Sequence, residues 1–304
     1  MADTMTLTEL SNSLADAVER AGASTVTVNA RRRFGASGLI WSADGVIVTA
    51  DHVVEHDEKI TVIIPDGSEV AATIVGRDPG TDIAVLRVAK AGLTPIAHAG
   101  AARVGHMALA VGRPGAGGPM ASLGVVSAVG GAWRSFRGAT IEGYLRSDTT
   151  FYPGFSGGPL VDGAGAVLGL NSSRLGRGAG LTIPIAAVAS IVEMILTGGH
   201  VKRGYLGIGS QAVKLPAAAV AKVNGQETGL LIVGLEPDSP ADAAGLLLGD
   251  ILVRFGQVPL TDTDDLHGAL GPASVGTTVA AGLLRGGEPR EVNVTVGERG
   301  TDSK

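Results

Sequence analysis

Between residues 23 and 184 the chain is written as short apolar or alternating runs, each cut off by Gly, Asp, Asn or Pro. That punctuation limits what it can fold into. The runs lie at 26–28, 38–41, 46–49, 60–64, 70–75, 83–88 and 108–111, with others at 122–129, 160–161, 167–171 and 181–183. Pro65-Asp66-Gly67 separates two of them as a hairpin turn would. No helical stretch intervenes, so a sheet of alternating strands and helices is excluded, and an antiparallel barrel or pair of barrels is expected. The 47 glycines in 304 residues supply the turns such a fold needs, and aromatic residues are only 3%.

Helical spacing appears at the edges of this region. Thr6-Leu-Thr-Glu9 is a capping box, and Leu7, Leu10, Leu14 and Val18 follow it toward Gly22. Residues 185–196 are apolar at helical spacing and stop at Gly198-Gly199. A linker at 198–202 then closes a first domain, residues 1–197. Residues 203–298 restart as a smaller module of strands with short helices at 239–245 and 264–270, and 299–304 are left as a tail.

Several function classes drop out on composition. Without cysteine there is no disulfide, thiolate catalysis or cysteine-based zinc site, and no metal or cofactor is expected. Net charge is −5, and the one basic run, Arg31-Arg32-Arg33, reads as a solvated turn, so no nucleic-acid partner is expected. No apolar stretch approaches the ~18 residues of a membrane span. The first residues lack the basic-then-apolar pattern of a secretion signal. A cytoplasmic location is therefore expected, the alternative being export with its signal removed.

The chemistry concentrates at Pro153-Gly-Phe-Ser-Gly-Gly-Pro-Leu160. Glycines on both sides of Ser156 let the backbone turn sharply, and the amides of Gly154 and Ser156 can converge as an oxyanion hole. A serine hydroxyl needs a base, and a base needs an orienting carboxylate. Among six histidines, His52 sits where the strand at 46–50 ends, in Thr49-Ala-Asp-His-Val-Val54. In Asp78-Pro-Gly-Thr-Asp-Ile-Ala-Val-Leu86, Asp78 precedes Pro79 and forms the turn, while Asp82 enters an apolar run and needs a partner. Asp51 would point away from His52 along an extended chain. The order His52, Asp82, Ser156 is that of chymotrypsin-type enzymes. Gly154-Phe-Ser-Gly-Gly158 also fits the nucleophile elbow of α/β-hydrolases, but Pro159 and a strand follow the serine and both partners precede it, so the elbow reading fails.

These three motifs resemble the histidine, aspartate and serine motifs of the HtrA (Deg) family of trypsin-like proteases, and residues 203–298 resemble the PDZ domain that follows in that family. The resemblance implies a mostly β fold, two six-stranded barrels and then a small α+β PDZ domain. It implies His52 as general base, Asp82 as its orienting partner, Ser156 as nucleophile, and the Gly154 and Ser156 amides as the oxyanion hole. Phe155 and Tyr152 stand where the family commonly has Asn. Thr150 stands where a trypsin-type pocket carries its acid, so Lys or Arg is not expected at the cleaved bond. Phe151 would narrow that pocket and Leu170 to Ser173 would wall it, favouring small aliphatic side chains.

Tyr205-Leu206-Gly207-Ile208 resembles the PDZ carboxylate-binding loop, whose amides hold a peptide C-terminus while the peptide adds to a sheet edge. Leu206, Ile208, Leu266 and Leu270 are candidates for the pocket that takes its last side chain. The implied activity is endoproteolysis of unfolded polypeptides, with a homotrimer or larger assembly as in relatives. The competing class is a peptide-binding chaperone or scaffold with a degenerate site.

Overall fold

A computed structural model describes residues 6–32, 34–135, 139–176, 180–202 and 204–298. Arg33 of the basic run, Arg203 and the tail at 299–304 lie outside the described residues. The chain forms two compact units that divide between Val201 and Lys202.

The first unit opens with α1 (Leu7–Gly22), capped as its sequence requires: Thr6 Oγ1 accepts from the Glu9 amide, and the Glu9 carboxylate accepts from the Thr6 amide. Six strands follow: β1 (Thr25–Asn29), β2 (Ala36–Ile40), β3 (Val46–Thr49), β4 (Ile60–Ile63), β5 (Glu69–Asp78) and β6 (Ile83–Val88). They close into an antiparallel barrel in the order β1-β2-β3-β6-β5-β4. Then come β7 (Met107–Gly112), β8 (Met120–Gly130), a small pair β9 (Trp133–Arg134) and β10 (Thr140–Ile141), β11 (Tyr144–Ser147), β12 (Pro159–Val161), β13 (Val167–Ser172) and β14 (Leu181–Pro184). Apart from the β9–β10 pair, these close a second barrel in the order β11-β14-β13-β12-β7-β8. The helix α2 (Ile185–Gly198) packs on β5 and β6 of the first barrel and on β13 and β14 of the second, and ends at Gly199 in the left-handed region (φ 75°). Residues 199–200 stay on the first barrel: a Cβ at Gly76 would lie 1.9 Å from the Gly199 carbonyl oxygen, and His200 bridges Arg77. The chain thus leaves this unit later than the expected linker start at 198.

The second unit has β15 (Gly204–Tyr205), β16 (Ile208–Lys214), α3 (Ala217–Val220), β17 (Thr228–Leu235), α4 (Pro240–Ala243), β18 (Ile251–Phe255), β19 (Val258–Pro259), α5 (Thr263–Ala269), β20 (Thr278–Arg285), β21 (Glu288–Thr295) and β22 (Gly297–Glu298). Its sheet runs β16-β17-β18-β20-β21, with β16 at an edge and α5 packed against it.

Apolar periodicity does not reveal β9, β10, β11 or most of β16. Of the β11 side chains only Leu145 is buried, and the edge strand β16 carries polar residues on its solvent face.

Candidate active site

His52 is carried by a single 3-10 turn, Asp51–Val53, just beyond β3. Asp51 is buried and is met by Arg77 of β5, whose Nε donates to its Oδ1 at 2.6 Å. The Nη2 of the same guanidinium donates to the carbonyls of Asp51 (3.3 Å) and Val54 (2.8 Å), and Nη1 reaches Asp57 at 3.0 Å. One planar fork therefore ties both ends of the turn that presents His52.

The next residue on β5 shapes the other partner. Asp78 accepts from the Gly80 amide (3.1 Å) and Thr81 Oγ1 (2.7 Å), the side-chain turn its sequence context predicts. This delivers Asp82 in the left-handed region (φ 61°), a conformation that costs a residue with a Cβ about 1–2 kcal/mol. Several contacts hold it there. The Asp82 carbonyl accepts from the Asp51 amide (3.1 Å), and Oδ1 accepts from the His52 amide (2.9 Å). His52 Nδ1 lies 2.9 and 2.8 Å from Oδ1 and Oδ2, and Ser172 Oγ donates to Oδ2. The Asp82 side chain is 2% exposed and that of His52 16%, so the bond is shielded while the ring keeps access to solvent. A carboxylate only accepts, so Nδ1 carries the ring proton and the neutral ring leaves Nε2 with a lone pair.

Ser156 rides on a different support. The Phe155 amide donates to the Tyr152 carbonyl (3.0 Å) and the Gly158 amide to the Phe155 carbonyl (3.0 Å), with Gly154 and Gly157 at φ 91° and 84°. Ser37 of β2 clasps this loop: its Oγ donates to the Gly154 carbonyl (2.6 Å) and its amide to the Ser156 carbonyl (3.1 Å). A Cβ at Gly157 would lie 2.1 Å from the Ser37 carbonyl oxygen and 2.3 Å from Thr49 Oγ1, so the loop is pressed onto the end of β3, close to the His52 turn. Phe155 is wholly buried, edge-on to Tyr152 with centroids 5.4 Å apart. Its ring lies on Gly112, where a Cβ would come within 2.5 Å. Among the described residues, nothing accepts a hydrogen bond from the amides of Gly154 or Ser156.

The two halves meet through consecutive residues at the end of β13. Ser172 donates to Asp82, and Ser173 lies against Ser156, with Oγ to Oγ at 2.9 Å and the Ser173 amide donating to Ser156 Oγ at 3.2 Å. No hydrogen bond joins Ser156 to His52 among the described residues. Position in the sequence makes Ser172 and Ser173 pocket wall and nothing more. For Ser172 its placement at the end of an apolar strand is the available signal, since a polar group buried there needs a partner; for the exposed Ser173 the sequence offers none.

The expected pocket residues separate. Thr150 is exposed and its carbonyl accepts from Ser122 Oγ (2.7 Å). Phe151 is half-buried beside Gly180, where a Cβ would lie 2.7 Å from its ring. Leu170 corrects the expectation: it is 0% exposed and belongs to the core, because it faces inward on β13 and offers a ligand no surface.

In the second unit Gly207 sits at φ 79°, its carbonyl accepting from the Glu236 amide (2.8 Å), while the Leu206 carbonyl accepts from Ala241 (2.9 Å). Tyr205 Oη donates to Glu236. The Leu206 and Gly207 amides have no acceptor among the described residues. Leu206 and Leu266 are core residues at 2% and 3% exposure, whereas Ile208 and Leu270 are half-buried against the same cluster.

Comparison with known proteins agrees with this architecture. A trypsin-like peptidase domain family matches residues 36–170 and a PDZ domain family residues 204–296. A probable periplasmic serine endoprotease, DegP-like, from Halomonas elongata is 34% identical over 275 residues, covering 88% of this chain and 57% of that protein. The periplasmic pH-dependent serine endoprotease DegQ of Escherichia coli is 32% identical over 270 residues, covering 86% of this chain and 59% of that protein. The chain thus spans little more than half the length of these relatives. A crystal structure of the serine endoprotease from Yersinia pestis is 30% identical with a TM-score of 0.77, covering 94% of this chain and 98% of that one. The HtrA-type protease AlgW with a decapeptide has a TM-score of 0.78 at 27% identity, covering 95% and 99%. Motifs, paired barrels and the module that follows them converge: this chain belongs to the HtrA family of serine proteases, a trypsin-like peptidase domain followed by a PDZ domain.

Proposed function

We propose that this protein is a serine endopeptidase acting on unfolded polypeptides, with Ser156 as nucleophile, His52 as general base and Asp82 as the group that orients His52. The observation that carries the reading is the grip of Asp82 on His52 Nδ1, which leaves Nε2 as base beside a serine loop with two unpaired amides. In acylation, Ser156 Oγ bonds to the scissile carbonyl carbon and its proton passes to His52 Nε2. The oxyanion accepts from the Gly154 and Ser156 amides, and His52 then protonates the leaving amine as the C–N bond breaks. Water repeats the sequence on the acyl-enzyme and releases the acid. Thr150 and Phe151 favour small aliphatic side chains at the cleaved bond; Leu170 is withdrawn from the pocket.

The names of the relatives support proteolysis over a non-hydrolytic scaffold. They also support work in an exported compartment over the cytoplasmic expectation, which has no support from those relatives. No helix of the described residues is long and apolar enough to cross a membrane. A trimer remains the assembly expected from resemblance, and a mass in solution tests it. Changing Ser156→Ala should reduce casein hydrolysis by about a millionfold; a wild type equally inert would replace this reading with the scaffold.

The PDZ unit is proposed to hold peptide C-termini on the amides of Leu206 and Gly207, with Ile208 and Leu270 against the last side chain. Tethered to the peptidase unit, it would either deliver substrate or bias the serine loop toward the competent form. Removing residues 203–298 and following a short chromogenic peptide separates these: undiminished turnover leaves delivery alone.

A further inference from the structure

Ser173 touches the nucleophile, and the reaction as written gives it no task. We propose that Ser173 is a latch on Ser156: in the resting enzyme its hydroxyl and amide take up hydrogen-bonding capacity that the nucleophile needs for reaction, and turnover requires the contact between the two hydroxyls to break. The latch rests on the roles proposed above for Ser156 and His52.

Hydrogen-bond capacity decides the matter. A serine hydroxyl has one proton to give and two lone pairs to share. The Ser173 amide occupies one lone pair of Ser156 Oγ at 3.2 Å. The Ser173 hydroxyl, 2.9 Å away, either accepts the Ser156 proton or donates to its second lone pair. In the first case the proton that His52 must remove points to another oxygen. In the second, neither lone pair is free to attack a carbonyl. Both arrangements are unreactive, and both become reactive only when the contact between the two hydroxyls is lost.

Two features hold the contact in place and a third lets it be broken. Ser172 anchors the strand end: it is 0% exposed, donates to Asp82 and accepts the amides of Arg174 and Leu175, both at 3.2 Å. The neighbouring Ser173 therefore cannot drift from the site. Ser156 is itself only 6% exposed, so water does not readily replace the bond. Ser173, by contrast, is exposed, so a peptide laid across the strand end reaches it first. Substrate that takes up the amide or hydroxyl of Ser173 would free Ser156 as it binds, linking occupancy to competence.

The test uses the full chain and a fluorophosphonate probe that reacts with the activated serine. Ser173→Ala removes the hydroxyl at an exposed position, where substitution leaves the fold largely undisturbed. It should be labelled about three- to tenfold faster than wild type, the factor expected for one ordinary hydrogen bond. The kcat for a short peptide should rise by the same factor at unchanged KM. Ser173→Thr restores the hydroxyl and should return the labelling rate toward wild type. A labelling rate equal to or below wild type in Ser173→Ala overturns the latch while leaving the protease reading intact, provided wild type is labelled and Ser156→Ala is not. A raised KM at constant kcat makes Ser173 a substrate contact and also overturns it. Wild type that takes no label brings down both proposals.

Discussion

Arg77, Asp51, Asp78 and Asp82 make the His52 half of the site a lattice of charged side chains, whereas among the described residues the 152–158 loop exchanges hydrogen bonds outside itself only with Ser37, Asn171 and Ser173. Among the described residues no charged side chain bonds the serine loop; it is positioned by backbone amides, hydroxyls and glycine contacts too close for a Cβ. The difference matches the charge that each half would meet during acyl transfer. Under the proposed roles a cation would develop on His52, and a buried carboxylate beside it would be favourable. An anion would develop above Ser156, where a fixed carboxylate would repel it and neutral dipoles aimed beforehand would stabilise it. Asp51, buried in the same half, is paired with Arg77.

Asp82→Asn carries the largest effect expected from this contrast. Neutralising the group on His52 Nδ1 should lower kcat by about 10⁴-fold with the fold intact, since the amide favours the wrong tautomer. Circular dichroism together with a peptidase assay checks it. A loss under tenfold would mean that charge does not organise the first half.

Gly157→Ala probes the other half and should come second. The new Cβ would meet the Ser37 carbonyl oxygen at 2.1 Å, a backbone atom that cannot swing aside, and φ is 84°. A shift of about 1 Å in the loop costs on the order of 10²-fold in kcat. Rates near wild type would show that the neutral half tolerates displacement despite the closeness of its glycine contacts.

How much of this could be read from the chain differs between the halves for the same reason. Asp78 before Pro79 and Asp82 before an apolar run announce themselves, because the first is a strong turn former and the second takes a carboxylate into a core, where it must find a donor. The barrels are likewise legible in β1 to β8 as apolar runs between turn residues, although β8 keeps Leu123, Val125 and Val129 exposed. Arg77 is not: next to a Pro-Gly turn it reads as a solvated cation, and only the fold brings it back over Asp51. Gly112 is equally silent, since its meaning depends on Phe155 arriving from 43 positions away. Leu170 shows the cost of assigning a pocket by position alone: every residue of β13 is buried and Leu170 joins the core, while Ser172 and Ser173, counted with it as wall, bond the carboxylate and the serine.

Arg77→Ala should have the smallest catalytic effect of the three and is the most informative about the charged half. It takes the guanidinium away from Asp51, whose side chain is 5% exposed. Breaking a fully buried pair costs about 3–5 kcal/mol; because 29% of the Arg77 side chain meets solvent, about 2–3 kcal/mol is expected here. The carbonyls of Asp51 and Val54 lose their donor as well, so the His52 turn loosens and kcat should fall about tenfold while KM stays constant. Arg77→Lys should recover only part of either loss, because a single ammonium cannot reach Asp51, Asp57 and two carbonyls together. Raising salt from about 0.05 to 0.5 M should weaken the exposed Arg87–Asp44 pair yet leave kcat nearly unchanged, since the Asp51 end of the lattice is shielded from ions. A variant that melts earlier but turns over at the wild-type rate would reduce Arg77 to scaffolding, and the presentation of His52 would then rest on Asp82 alone.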